Sequence, residues 1–279
     1  MAARIGAATR RAPLQILLAV VALLWLVPTI GLFLTSLMPP DLISAEGWWK
    51  IFSQPSLATF DNYRAVFDDQ DLMTALWTTV QIAVGNTVLL VLVSAMAGYA
   101  FAWLPFPGRD PLFVVVIALL VVPLQTALIP IFSLYQTTGL FDTVLGLVLF
   151  HTAFGLPFGI FLMRNFFIGI PKDLLESARI DGASELTIFF RLVLPLGLPA
   201  IASLAIFQFL WTWNDLLVAL TFGRETQPIT VAVFTQLRQF GGNIELIAPA
   251  SFISLAIPLA VFFAFQRYFA QGLLAGSVK

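Results

Sequence analysis

Long apolar runs broken by short polar stretches set the pattern of this chain. A bilayer core of about 30 Å takes roughly 20 apolar residues in a helix rising about 1.5 Å per residue. Six runs reach that length, at about 14–37, 75–103, 112–134, 143–163, 196–220 and 247–266. They are continuous rather than alternating, which predicts helices and not barrel strands. The expected fold is an all-α integral membrane protein of six transmembrane helices, in one transmembrane domain spanning 1–279.

One polar stretch interrupts this pattern, residues 171–195, with Asp173, Glu176, Asp181 and Glu185 among Lys172, Arg179 and Arg191. Pro171 suits a first helical turn, and Asp173 and Glu176 follow where the helix dipole favours acids. Asp181-Gly182 predicts a helix stop, since glycine takes left-handed backbone angles at little cost. Ser184 is placed to cap a second short helix. The prediction is a bent helical knob that projects from the membrane into water.

Composition agrees with the run lengths. Of 279 residues, 59% are hydrophobic and 10% charged, against about 25% charged in a soluble domain. The net charge of −1 gives no basis for a nucleic-acid partner. The absence of cysteine excludes disulfides and thiolate sites, and one histidine argues against zinc. Arg4, Arg10 and Arg11 precede the first run, but that run is too long for a signal peptide and no small-residue cleavage site closes it. It reads as an uncleaved first span.

With six spans both termini share a side. That side holds Arg4, Arg10, Arg11, Arg109, Arg164, Lys172, Arg179, Arg191, Arg267 and Lys279, and the other holds Lys50, Arg64, Arg224 and Arg238. The positive-inside rule places the termini and the 171–195 knob in the cytoplasm. The outer segments are then 38–74, 135–142 and 221–246. Trp48-Trp49 in the first reads as an interfacial anchor. The middle of the third, from Ile229, is apolar and β-branched, so it is expected to dip back or to reach a partner. Pro105–Pro111 reads as a tight inner turn. Pro28, Pro123, Pro130, Pro157 and Pro258 are expected to kink their spans.

Chemistry is sparse. No Gly-Lys-Ser/Thr phosphate loop, His-Glu-x-x-His or Gly-x-Ser-x-Gly is present, so the chain is not expected to be an enzyme. The fifth run carries the densest polar and aromatic set, with Gln208, Trp211, Thr212, Asn214 and Asp215. Helical spacing puts Gln208, Trp211 or Thr212, and Asp215 on one face. That face is a candidate for lining a path through the membrane, and its amides, carboxylate and indole would suit a hydroxyl-bearing ring. The competing reading is that these groups tie helices together. His151 in the fourth run is open to the same two readings.

Glu176-Ser177-Ala178, Gly182 and Leu192-x-Leu194-Pro195 resemble the cytoplasmic coupling loop of ABC-importer permeases. The pattern there is Glu-Ala-Ala, three residues, Gly, nine residues, Ile-x-Leu-Pro; Ser177 stands for one alanine and Leu192 for isoleucine. Phe60-Asp-Asn-Tyr63, Phe101–Gly108, Trp213–Leu217 and the ending Gln266–Lys279 are similar to maltose-type sugar permeases, of the kind that is the second permease of its pair. Val121–Gln125 with Phe209–Asp215 looks most like the α-glucoside branch.

The resemblance implies a non-catalytic permease subunit in a bacterial plasma membrane. Its partners would be a second, different permease, an ATPase dimer, and an extracytoplasmic sugar-binding protein, within membrane lipid. ATP and magnesium would sit on the ATPase, leaving no cofactor on this chain. Glu176, Ser177, Ala178, Asp181, Gly182 and Ala183 would meet the ATPase. Segment 221–246 would reach into the binding protein, and the tail 271–279 would lie against the ATPases. An ion-driven transporter using Asp215, or a membrane scaffold, would be the other classes. Against the first, only one acid lies within a span and no pair of interrupted helices marks two halves.

Overall fold

The computed structural model describes residues 2–43, 45–240 and 243–275, and their side chains except at 2–12, 239–240 and 268–275. The described residues form helices and no strands. The chain divides into two compact units, Met1–Met73 with Val233–Ser254, and Thr74–Ala232 with Leu255–Lys279.

In the first unit, α1 (Ala2–Ser36) contains the apolar stretch Pro13–Ser36, which is exposed along 13–28. Short turns lead to α2 (Asp61–Asp68). Asn62 is buried and donates to the Ser36 and Met38 carbonyls at 3.0 and 2.7 Å, which closes the end of α1. The two tryptophans part company. Trp48 packs in the cluster of Leu37, Met38 and Ile51, whereas Trp49 is exposed.

The helix α3 (Gln70–Trp103) leaves this unit and runs on into the second. There follow α4 (Arg109–Ala118), α5 (Leu124–Thr138), α6 (Val144–Ile168), α7 (Lys172–Ile180) and α8 (Glu185–Ile188). A wider π turn over Phe189–Val193 joins α8 to Leu194–Leu196. The chain continues with α9 (Leu198–Trp213), α10 (Leu217–Phe222), α11 (Ile229–Phe240) and α12 (Ile244–Ala275).

Among the described residues, four stretches are long and apolar enough to cross a membrane as single helices: Pro13–Ser36, Gln70–Trp103, Val144–Ile168 and Ile244–Arg267. Two bent pairs bring the number up to six, with Arg109–Val121 and Leu124–Thr138 at 99°, and Glu185–Leu196 and Leu198–Trp213 at 75°. The third expected span is therefore broken. Pro123 drives the preceding Val122 to an extended ψ of 117° and supplies no N–H, so the helix cannot pass through. The fifth also stops early, at Trp213 rather than 220, because Asp215 caps a new helix. Pro157, by contrast, lies inside the uninterrupted α6. The β-branched stretch from Ile229 is helical, with Ile229 and Val231 buried.

The main core lies where α3, α6 and α9 meet the knob. Leu90, Tyr99, Met163, Phe167, Leu175, Phe189, Val193 and Leu204 form one buried cluster. Close approach is possible because α6 presents glycine: a Cβ on Gly155 would collide with Leu90 and lie 2.7 Å from Gln208 Oε1.

Candidate functional site

Two groupings carry the polar chemistry, the knob and a buried cluster on α3, α6 and α9. In the knob α7 starts after Pro171, and Leu175 buries its side chain completely in the main core. The outer face is polar, with Lys172 Nζ 2.6 Å from Glu176 Oε1. That bond holds the Glu176 carboxyl below its ordinary value and the lysine above its own. Helix α7 stops at Gly182, whose φ of +81° is left-handed. The Ala183 N–H reaches back to the Ala178 carbonyl at 3.0 Å, the closure expected of such a stop. Ser184 then caps α8 by accepting from the Thr187 N–H at 3.3 Å.

Glu176, Ser177, Asp181 and Gly182 are exposed, while Ala178 and Ala183 pack partly against the core. Ile180, which sequence reasoning left unremarked, is 85% exposed at the tip. An isolated isoleucine in a polar stretch carries no signal of that exposure.

A brace across the bend was also missed. Arg179 Nε donates to Glu185 Oε1 at 2.8 Å, and the Tyr99 hydroxyl of α3 donates to Glu185 Oε2 at 2.5 Å. Bonding from Arg179, against some burial and with help from Tyr99, holds the Glu185 carboxyl below the usual carboxylate value. Trp103 Nε1 adds a second tie, to the Phe167 carbonyl at 2.9 Å.

The buried cluster is built on Asn86, which is fully covered. Its Nδ2 donates to Thr212 Oγ1 at 2.6 Å, and its Oδ1 accepts from Thr152 Oγ1 at 3.1 Å. Gln208 Nε2 adds longer bonds to Thr212 Oγ1 at 3.3 Å and the His151 carbonyl at 3.5 Å. Beyond it, His151 Nε2 stands 3.6 Å from Asp215 Oδ2, both largely buried. Asp215 also accepts from the Val218 and Ala219 N–H groups at 3.3 and 3.0 Å, so it caps α10. A cavity of about 10 Å³, room for about one water, lies among Thr79, His151, Thr212 and Asp215.

Thus Gln208, His151 and Asp215 come together with Thr212, while Trp211 and Asn214 sit on an exposed face of α9. The expectation allowed Trp211 or Thr212 beside Gln208, and Thr212 is the one placed there. Asn86 and Thr152 lie in largely apolar runs, and no spacing rule joins them to 212.

A further carboxylate organises the turn before α11. Asp142, at φ 56°, accepts from the backbone N–H groups of Arg224, Glu225 and Thr226 at 2.8–3.1 Å. Burial opposes its charge, but these donors win and hold its carboxyl below the ordinary value.

Residues 91–274 match the family described as the binding-protein-dependent transport system inner membrane component. The chain is 46% identical over 276 residues to the osmoprotective compounds uptake permease protein GgtD of Synechocystis sp., covering 97% of this chain and 93% of that one. It is 48% identical over 233 residues to the alpha-glucoside transport system permease protein AglG of Rhizobium meliloti, covering 81% of this chain and 61% of AglG. In fold it is similar to a chain of a crystallised bacterial ABC transporter involved in the import of the acidic polysaccharide alginate, with a TM-score of 0.76 at 24% identity over 91% of this chain and 94% of that chain. With a family match over most of its length and 46% identity to GgtD over 276 residues, the chain belongs to the binding-protein-dependent inner-membrane permeases of ABC importers.

Proposed function

We propose that this permease forms half of the translocation path of an ATP-driven importer for an α-glucoside-type sugar or glucosyl osmolyte, and that the 171–195 knob docks on a separate ATPase. One observation carries the coupling half of this reading. The knob exposes Glu176, Ser177, Asp181, Gly182 and the apolar Ile180, yet is bonded through Glu185 to Tyr99 of a span-length helix. A force applied at the tip therefore passes into α3, and through Leu175 into the core beside α6. The remaining partners are a different second permease and an extracytoplasmic binding protein. ATP and magnesium belong to the ATPase dimer, both termini are cytoplasmic, and 1–279 acts as one transmembrane domain.

For the path, Trp211 and Asn214 present an indole face and an amide on the exposed side of α9. These groups suit a sugar ring and its hydroxyls. Gln208, His151 and Asp215 stand behind them and hold α9, α6 and α10 in register. The sugar class rests on the names of GgtD and AglG.

The test is reconstitution with the partner permease, the ATPase and the binding protein. Trehalose, maltose, sucrose and a glucosyl osmolyte are each assayed for stimulation of ATP hydrolysis, and crosslinks are read from Ser177 and Ala183. Stimulation by at least one solute and a crosslink to the ATPase are expected. Crosslinks that never reach the ATPase, or labelling of these positions from outside the cell, would remove the coupling role.

A further inference from the structure

Arg164 lies 20 residues along α6 from Val144, about 30 Å at 1.5 Å per residue, which is the far edge of a bilayer core. Its guanidinium carbon stands 4.0 Å from the centre of the Phe113 ring. Its Nε is buried and has no hydrogen-bond partner, and among the described residues no carboxylate pairs with it. An arginine carries five donors in a planar fork and stays charged. Burying one of those donors unpaired is costly unless something not yet in view accepts from the fork.

A second cation stands close by along α4. Arg109 precedes Phe113 by one helical turn, so both share a face. Among the described residues its side chain pairs with Asp110, at 3.0 Å, and that acid is 76% exposed. Such a pair is worth little and yields readily to a stronger anion. Arg109 lines the wall of an open cleft of about 560 Å³ formed by residues 105–111. Around Phe113, which packs on Phe101 at 5.4 Å, the chain thus offers one unpaired and one loosely paired cation at a membrane boundary.

We infer that Arg164, stacked on Phe113 and assisted by Arg109, is a binding site for a phosphate-bearing group, namely the headgroup of an anionic phospholipid. Phosphate oxygens match the guanidinium fork two at a time. A basic pocket between spans at the membrane surface draws an anionic headgroup from the adjoining leaflet. The aromatic ring fixes the plane of the fork before the lipid arrives, which limits the entropy lost on binding. Placement in the cytoplasmic leaflet rests on the orientation proposed above.

The test uses the assembled complex in nanodiscs of phosphatidylcholine with or without phosphatidylglycerol, and retained lipid is counted by native mass spectrometry. Wild type is expected to keep one more phosphatidylglycerol than Arg164→Gln, with Arg164→Lys and Phe113→Leu between them. Adding millimolar inorganic phosphate separates the sources. If the lipid stays, the headgroup is the ligand; if it leaves and phosphate is retained instead, the site takes free phosphate and the lipid assignment falls. Equal lipid counts in wild type and Arg164→Gln overturn the proposal. So does loss of the partner permease from Arg164→Gln with the lipid count unchanged. Should Arg164→Gln fail to assemble, Phe113→Leu decides, because an unchanged count there also overturns it. Solute-stimulated hydrolysis in the same wild-type preparation reads the importer function separately.

Discussion

The Tyr99 hydroxyl donates to Glu185 Oε2 while Arg179 holds Oε1 of the same carboxylate, so one acid joins both arms of the knob to α3. Tyr99 is 4% exposed, which makes it a stiff post rather than a passing contact. Tyr99→Phe keeps the ring against Phe189 and removes only the bond. A hydrogen bond to a charged group contributes about 1.5–3 kcal/mol, less where water reaches the acid. On the proposed docking, the ATPase should still bind the knob and still hydrolyse ATP, with several-fold fewer solute molecules moved per ATP. Uptake and hydrolysis measured in the same vesicles check this. An unchanged ratio would mean that force passes by another route.

Gly182 sets the bend by backbone angle and not by lack of room. Its φ is +81°, and a Cβ placed there would meet nothing within 4 Å. Only the cost of a left-handed backbone remains, about 1–2 kcal/mol for an ordinary residue and less for asparagine or aspartate. Gly182→Asp is therefore the mild change, since the bend has room for its side chain and aspartate tolerates the angle. Coupled transport should fall in the order Gly, Asn or Asp, Ala, Val, with valine worst because of its β-branch. Equal activity for Gly182→Asn and Gly182→Val would show that the angle does not matter.

Acid should loosen the knob through Glu185. Its carboxyl is held below 4.5 in the folded chain, mainly by Arg179. A depressed acid contributes stability above its unfolded value and loses it as pH falls through the folded one. Wild type should therefore outlast Glu185→Gln in thermal unfolding at pH 7. The gap should shrink as pH falls below about 4.5, where the acid begins to take up a proton in the unfolded chain. A gap that stays constant down to pH 3 would assign the effect to packing instead.

The knob was legible in the sequence because its signals are local. Pro171, Gly182 and Ser184 each act within four residues of where they stand, and Lys172–Glu176 is an i,i+4 pair. The spans were legible as apolar runs but not as shapes. Val122-Pro123 breaks one of them by 99°, although Pro157 leaves α6 whole, since a proline's effect depends on what the neighbouring helices support. The ties that hold the site are long-range. Asn86 meets Thr212 across 126 residues, Tyr99 meets Glu185 across 86, and Asp142 caps a turn more than 80 residues later. No periodicity along one chain encodes such meetings.

The two faces of α9 should separate stability from transport. Asn86 is fully buried and bonded at both ends of its amide, to Thr212 and Thr152. Asn86→Ala leaves two hydroxyls without that partner. Thr152 can still donate to the Val148 carbonyl at 2.7 Å, which softens the loss. Bonds of this kind between membrane helices contribute about 0.6–2 kcal/mol, so the complex should melt at lower temperature while uptake per folded complex changes little. Trp211 is 49% exposed on this chain. Trp211→Ala takes nothing from the core, and the melting temperature should hold. If the indole faces the sugar, however, a flat apolar surface is lost where the ring must pass, and uptake should fall severalfold or more. Thermal melts and uptake on the same purified complexes distinguish the two. Unchanged uptake in Trp211→Ala would take that face of α9 out of the path and assign it to lipid or to the second permease.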